Sequence, residues 1–255
     1  MGKLIAAERQ KEILKLLSDN GSVKIGQLAD RFEVSKETIR RDLDHLNLMG
    51  YLERSHGGAT SVFEYGNIST EKRISKDAEV KKKLCEAALP YLPSSGVIYL
   101  DSGSTIAHLA KLLAQRSGNT IITPSLSSAN ILANSDNTII LIGGQLNPSN
   151  MSTEGFQNIS FINSLRVSAS FLGTNGFEEH NGPASSEFSD AQTKQAIVPN
   201  SHMNIVITDS SKATMSALIQ YTSWRNIDVL ITDTKLPQNL YQKISEMTEV
   251  VLIDV

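Results

Sequence analysis

Seven short apolar runs recur along residues 76–255 of this chain, at 97–100, 120–122, 139–142, 169–172, 205–208, 229–231 and 250–253. Each has the length of a buried strand and falls short of a buried helix. Between most of them apolar residues repeat at helical spacing, as over 106–113, 126–132 and 240–247. Strand and helix alternating in this way predict an α/β layer fold with a mostly parallel sheet. Ligands of such sheets bind beyond the carboxyl ends of the strands.

The chain has material for such a core: 40% of its 255 residues are hydrophobic and 20% charged, the balance of an ordinary soluble protein. One cysteine, Cys85, excludes an internal disulfide framework and a Cys-rich zinc site. No apolar run approaches the length of a bilayer span. The stretch Leu4 to Ala7 before Glu8 and Arg9 is too short for a signal-peptide core, so the cytoplasm is the expected location.

The first sixty residues follow a different rhythm. A helix is expected over 7–18, with Ile13, Leu14 and Leu17 on one face, and Asn20-Gly21 breaks it. A second helix over 24–32 carries Ile25, Leu28, Ala29 and Phe32 at i, i+3, i+4 and i+7. The turn Glu33-Val34 follows. Ser35 caps a third helix by accepting from an orphan backbone N–H. Val34 and Ile39 stand where a hydrophobic staple would, Ile39, Leu43 and Leu46 form a buried stripe, and Gly50 stops the helix. Residues 51–59 predict strand, turn and strand. Residues 60–75, with Gly66-Asn67 inside, lack periodicity and are expected to be a linker.

Helix, short turn, capped helix and glycine-rich hairpin is the order of a winged helix-turn-helix. The third helix turns Glu37, Thr38, Arg41 and Asp44 outward, flanked by Lys36, Arg40 and His45, a face suited to a DNA major groove. Arginine can fork onto guanine O6 and N7. Ser35, Lys36 and Thr38, at the helix start, suit phosphate, and Arg54, His56 and Gly57 sit on the hairpin. Bulk charge gives no help. Residues 1–60 hold ten Lys/Arg against nine Asp/Glu, and the rest fourteen against eighteen. Any DNA affinity therefore comes from locally placed cations. The same periodicity equally fits a three-helix bundle with a solvated charged face.

Particular residues favour the first reading. Glu8-Arg9, Ile13-Leu14, Leu28-Ala29, Phe32, Val34-Ser35, Thr38-Ile39-Arg40-Arg41-Asp42-Leu43, Leu46, Gly50, Arg54 and His56-Gly57-Gly58-Ala59 together resemble the DeoR-type helix-turn-helix of bacterial sugar-metabolism regulators. The resemblance covers nearly all of residues 7–59. It implies a cytoplasmic, oligomeric repressor that binds double-stranded operator DNA and releases it when a sugar phosphate binds. The expected organisation is a reader over residues 1–59, a linker over 60–75 and an α/β sensor over 76–255.

In the second half, Asp101 leads into Ser102-Gly103-Ser104-Thr105 and a helix. Backbone N–H groups and hydroxyls at a helix N-terminus can hold phosphate, although such loops also serve as plain capped turns. Gly143-Gly144, Asn175-Gly176 and Asp209 to Lys212 follow other strands, and Lys194 comes from a helix after Glu187. Each alone suits a turn, a cap or a solvated cation; together, at equivalent strand ends, they suit a pocket.

This half resembles the DeoR-type sensor domain, which shares its fold with ribose-5-phosphate isomerase and CoA-transferases. The resemblance implies that residues 102–105 hold a phosphate which Lys194 and Lys212 help neutralise. Two positions depart from it: Pro124 stands where Asn is frequent, and Asn175 where an acid is frequent. An isomerase needs a carboxylate to move a proton between carbons, and an amide cannot do so. Glu178, Glu179 and Glu187 remain nearby. Neither a metal site nor a P-loop is legible, no cofactor is called for, and a ligand-binding regulator is expected in place of an enzyme.

Overall fold

The computed structural model describes residues 5–20, 22–48, 51–55, 57–60 and 70–255. The chain divides into two compact units, Met1–Ser69 and Thr70–Val255.

The first unit comprises α1 (Ala6–Asn20), β1 (Ser22–Lys24), α2 (Ile25–Phe32), α3 (Lys36–Leu48), β2 (Glu53–Ser55) and β3 (Gly58–Thr60). Ile13 and Leu17 of α1, Ile25, Leu28 and Ala29 of α2, and Ile39, Leu43 and Leu46 of α3 close on one core. These are the faces that the helical spacing marks. Glu33 makes the turn between α2 and α3 in the left-handed region, φ 52, and the Val34 N–H donates to the Ala29 carbonyl at 3.1 Å. The Ser35 hydroxyl accepts the Thr38 N–H at 3.1 Å and caps α3.

β1 and β2 flank β3, antiparallel on both sides. β1 went unseen in the sequence because it has three residues and only Val23 points inward, too little alternation to read. Gly21, Gly50, His56 and the Gly66-Asn67 turn, all given roles above, lie outside the described residues.

The second unit begins with α4 (Thr70–Ser75) and α5 (Ala78–Ala87). Then come β4 (Gly96–Leu100), α6 (Ser104–Leu113), β5 (Asn119–Thr123), α7 (Leu126–Leu132) and β6 (Thr138–Leu141). A ribbon of β7 (Gln145–Asn147) and β8 (Ser152–Glu154) leads to α8 (Phe156–Asn163) and β9 (Ala169–Leu172). The remainder is β10 (Ala184–Ser185), α9 (Phe188–Ile197), β11 (Asn204–Ile207), β12 (Ile219–Gln220), β13 (Val229–Asp233), α10 (Gln238–Ser245) and β14 (Glu249–Ile253).

All seven apolar runs are strands of one sheet, ordered β14-β13-β11-β9-β4-β5-β6, and every pairing is parallel. Ile98 and Leu100 of β4 pack on one face with Leu84, Ile106 and Leu109. Tyr99, between them, packs on the other with Ile162, Ile197 and Trp224. Burial on both faces explains why these strands read as continuous apolar runs. The β7–β8 and β10–β12 ribbons, with strands of two or three residues, left no such trace.

The expected linker ran to residue 75, but residues 70–75 form α4 within the second unit. Lys81 of α5 reaches back so that its ammonium donates to the Arg73 carbonyl, and to that of Lys76 at 2.6 Å. His108 of α6 meets the Ile74 carbonyl at 2.9 Å. The carbonyls at the end of so short a helix have no partners within it, and these two side chains supply them. A six-residue helix held from outside carries little periodicity of its own.

From β4 the chain steps outward through β5 and β6. It re-enters on the opposite side of β4 as β9 and continues through β11 and β13 to β14. The direction of winding thus reverses between β4 and β9. In an open parallel sheet that reversal splays the loops after the two strands apart and leaves a crevice at their carboxyl ends.

Candidate functional site

The outward face of α3 is as the sequence placed it. Lys36, Glu37, Arg40, Arg41 and Asp44 are exposed and Thr38 is half-buried. Glu37 lies 3.3 Å from Arg40 and 3.9 Å from Arg41. Exposed pairs of this kind are worth little and are readily exchanged, and the Arg41 side chain is 80% exposed.

Arg54 is committed more firmly. Its Nε sits 2.9 Å from Asp44 Oδ1 and its Nη1 donates to the Gly58 carbonyl at 2.9 Å. It therefore ties the β2–β3 wing to α3. Gly57, at the wing's turn, adopts φ 95, where glycine is favoured. Asp42, quoted above only as part of a motif, turns out to be buried. Its carboxylate accepts from Arg9 Nε at 2.5 Å and from Gln10 Nε2 at 3.1 Å. This joins α1 to α3 beneath the reading face.

In the second unit the crevice between β4 and β9 holds a buried charge cluster. Lys194 of α9 places its ammonium 3.3 Å from Asp101 Oδ2 and in direct contact with Asp190. Asp101 Oδ2 also accepts the Gly173 N–H at 2.9 Å, bridging the loops that follow the two strands. Asp190 accepts from Ser185 at 2.6 Å and lies 3.5 Å from the Ser102 hydroxyl. The Lys194 ammonium stands 5.4 Å from the centre of the Tyr221 ring, whose hydroxyl donates to the Gly173 carbonyl.

Burial alone would lower the Lys194 pKa, but the Asp101 and Asp190 carboxylates outweigh it and raise the pKa above the ordinary lysine value. Burial pushes the Asp101 carboxyl up to about 6, opposed by Lys194 and reinforced by Asp190. Asp190 was missed in the sequence. Its signal was an Asp–Lys pair at i, i+4 on one helix.

The other expected residues divide between the crevice and its supports. Ser102 is nearly buried, Gly103 precedes α6 with φ 124, and Ser104 and Thr105 open α6, partly exposed. Gly143 and Gly144 follow β6 at the sheet edge; a side chain on Gly144 would come within 2.4 Å of the Glu154 carbonyl, so that glycine serves the start of the ribbon. The Asn175 side-chain carbonyl accepts the Ser186 N–H at 3.1 Å, and the Gly176 carbonyl accepts the Ala184 N–H. These two hold the turn that carries Ser185 and Glu187. Asp209 accepts the Ser211 N–H at 3.1 Å, acting as a cap, and Lys212 Nζ lies 3.4 Å from the Met215 sulfur. The Pro124 carbonyl accepts the Thr153 N–H at 2.8 Å, fastening the ribbon over the end of β5.

Two further groups reach the crevice that the sequence did not mark. Asn147 of the ribbon donates to Glu154 at 2.7 Å and to Glu187 at 2.6 Å. Burial and the neighbouring Glu154 raise the Glu187 pKa. Arg73 of α4 donates to the Ser149 carbonyl at 3.3 Å. Burial lowers its pKa, while the fields of Glu187 and Asp190 oppose that fall. The first helix of the second unit thus places a cation beside the carboxylates of the crevice.

Among the described residues no cluster of His, Cys, Asp and Glu could hold a metal ion, and no helix is long and apolar enough to cross a membrane.

Comparison with known proteins identifies both units. Residues 9–64 match the model of the DeoR-like helix-turn-helix domain and residues 76–234 that of the DeoR C terminal sensor domain. The chain is 33% identical to an uncharacterised HTH-type transcriptional regulator of Bacillus subtilis (strain 168), over 91% of each chain. It is 28% identical to the glycerol-3-phosphate regulon repressor of Escherichia coli (strain K12), over 94% of this chain and 95% of that one. It is 29% identical to the lactose phosphotransferase system repressor of Streptococcus mutans, over 96% and 98%. Ribose 5-phosphate isomerase A from Methanocaldococcus jannaschii is a distant structural neighbour, with a TM-score of 0.40 and 17% identity over 54% of this chain and 55% of that one. With both of its units matched by the family's two domain models, and in that order, the chain belongs to the DeoR family of helix-turn-helix transcriptional regulators.

Proposed function

We propose that this chain represses genes of carbohydrate metabolism and leaves its operator when a phosphorylated sugar enters the crevice between β4 and β9. The observation that carries this reading is the buried Lys194, held by Asp101 and Asp190 beneath the hydroxyl-rich start of α6. There the hydroxyls of Ser102, Ser104 and Thr105 and the N-terminal backbone of α6 offer donors to a phosphate. The ammonium can then exchange a carboxylate for a phosphate oxygen. Asn147, Glu154 and Glu187 line the far side with acceptors and an amide, the groups that bind hydroxyls. Relatives named for glycerol-3-phosphate and lactose phosphotransferase regulons support the same class of effector.

A thermal-shift screen of sugar phosphates tests this. A ligand at ~100 times its dissociation constant adds about 2.7 kcal/mol to the stability of the unit that holds it. The same ester should weaken an operator gel shift at fixed salt. If no phosphorylated sugar raises the melting temperature or moves the gel shift, the effector reading fails. Asn175 is engaged by the Ser186 N–H, an amide where proton transfer needs an acid, so no turnover of the bound ester is expected. Turnover that disappears in Glu187→Gln would replace ligand sensing with catalysis.

On the reader, Ser35, Lys36, Thr38 and Arg40 at the start of α3 are assigned to phosphates and Arg41 to a base edge, with Glu37 holding the two arginines. The wing, with Arg54, His56 and Gly57, is assigned to the backbone beside them. Arg41→Ala should weaken specific binding by ~1–3 kcal/mol and relax the preference at one base pair, while non-specific binding changes far less. An unchanged base preference across a mutated operator set would remove Arg41 as a reader. Release is assigned to α4: a ligand that redistributes charge among Asp190, Glu187 and Arg73 changes the hold on the first described helix after residue 69.

A further inference from the structure

The crevice and its far wall hold more carboxylates than cations. Asp101 and Asp190 share the ammonium of Lys194. Glu187, just before α9, lies in the fields of Glu154 and Asp190, and the Asn147 amide bridges the two glutamates. Arg73 of α4 is the second cation, opposite Glu187 and Asp190. The phenols of Tyr99 and Tyr221 are the other titratable groups near the aspartates. Burial, reinforced by Asp101 and Asp190, raises both well above the ordinary tyrosine value, so they carry no charge. Among the described residues this sets four carboxylates against two cations, an excess of two. The centre of the cluster is sealed from water: the side chains of Lys194 and Asp101 are 5% and 1% exposed.

We propose that Asp101 and Asp190 take up one proton between them whenever a phosphate ester enters the crevice, so that the protein reads pH together with the sugar. The inference rests on the effector reading above. A phosphate monoester is a dianion above about pH 6. Beside Lys194 it adds negative charge to a cluster that already has an excess, in a place where water screens little. Any donor that the ammonium turns to the phosphate is also lost to a carboxylate. A buried carboxylate that loses its cation and gains a like charge takes a proton in preference to staying ionised. The pair is poised for this. Burial, opposed by Lys194 and reinforced by Asp190, holds the Asp101 carboxyl at about 6, ionised at neutral pH but within reach of its proton. The Ser185 hydroxyl, 2.6 Å from Asp190, can turn from donor to acceptor and receive a new O–H. The complex then holds more protons than the free chain. Affinity therefore falls as pH climbs from about 6 toward the higher value that the pair takes in the complex.

Calorimetric titration of the full chain in buffers of differing ionisation enthalpy counts the protons. The probes are ribose 5-phosphate, glucose 6-phosphate and inorganic sulfate, which stays a dianion throughout and so cannot take the proton itself. At about pH 7.5 each probe that binds should bring about one proton with it, and its dissociation constant should rise about tenfold between about pH 7 and about pH 8. Asp190→Asn removes one of the excess carboxylates and should cut the uptake to less than half. Circular dichroism checks that this variant is folded. If it is not, sulfate on the wild type decides the matter, and failure of sulfate to bind with a proton then overturns the proposal. A binding heat equal in all buffers overturns the proposal and leaves the effector reading standing. Full uptake in a folded Asp190→Asn overturns it as well, by sending the proton elsewhere. If none of the three probes binds, the proposal falls, and the thermal-shift screen decides the effector reading separately.

Discussion

Lys194→Met should lower the unfolding free energy of the second unit by about 3–5 kcal/mol, the usual cost of removing one partner from a buried ion pair. The attraction between Lys194 and its carboxylates offsets the cost of taking these groups out of water. Without the ammonium, Asp101 and Asp190 are left buried beside each other with that cost uncompensated. Asp190→Asn in the same chain removes one orphaned charge and should recover part of the loss. Urea unfolding followed by tryptophan fluorescence isolates the effect, since the single tryptophan, Trp224, is buried in this unit. A midpoint equal to that of the wild type would mean that the cluster contributes nothing to the fold.

The same lysine sets an alkaline limit. Its native pKa is raised above the ordinary value of 10.5 by the two carboxylates, so the native state holds the proton more tightly than the unfolded chain does. The resulting stability is complete below pH 10.5 and is lost as pH climbs from there through the native value. Lys194→Met should abolish that decline.

Asp42→Ala should destabilise the first unit by a similar ~3–5 kcal/mol, because it removes the buried carboxylate that pairs with Arg9 between α1 and α3. A unit of about sixty residues has little stability in reserve, so a loss of this size unfolds it under most conditions. Amide hydrogen exchange should then become fast across α1 and α3 and operator binding should vanish, while the Trp224 transition stays where it was. Slow exchange in α1 with wild-type operator binding would show that the Arg9–Asp42 pair is dispensable. A shifted Trp224 transition would show that the two units do not unfold independently.

The parts of this molecule that were legible beforehand are those where one periodicity runs long enough to declare itself. The seven runs of the sheet did so because parallel strands are buried on both faces. The reader's helices did so because Ile13 and Leu17, Ile25 and Leu28, and Ile39 and Leu43 stand at helical spacing around a small core. Ser35 and Asp209 were legible as caps from local chemistry. Pieces whose order is imposed from outside were not. β1 exists through pairing with β3, and α4 through Lys81 and His108. The two short ribbons exist through their mutual hydrogen bonds.

The crevice was half legible for a related reason. The strand-end loops that form it announce themselves through glycines and hydroxyls. What those loops do with their side chains depends on neighbours distant in sequence. Asn175 is spent on Ser186, and Asp101 on Gly173 and Lys194, and no local pattern around either reports its partners.

The strand order also fixes a sequence of events during synthesis. The first unit's described elements are all made by residue 60, and its most widely separated strand pairing joins Ser22 to Thr60. In the second unit β4 pairs with β5, its near neighbour in the chain, and also with β9, as where Ile98 meets Ala169. Until β9 leaves the ribosome, one edge of β4 stays open and the cleft beside it does not exist. Loop closure over that length is slow compared with the local pairings of the first unit. The growing chain therefore completes the strands and helices of its helix-turn-helix unit before the crevice of the second unit can form.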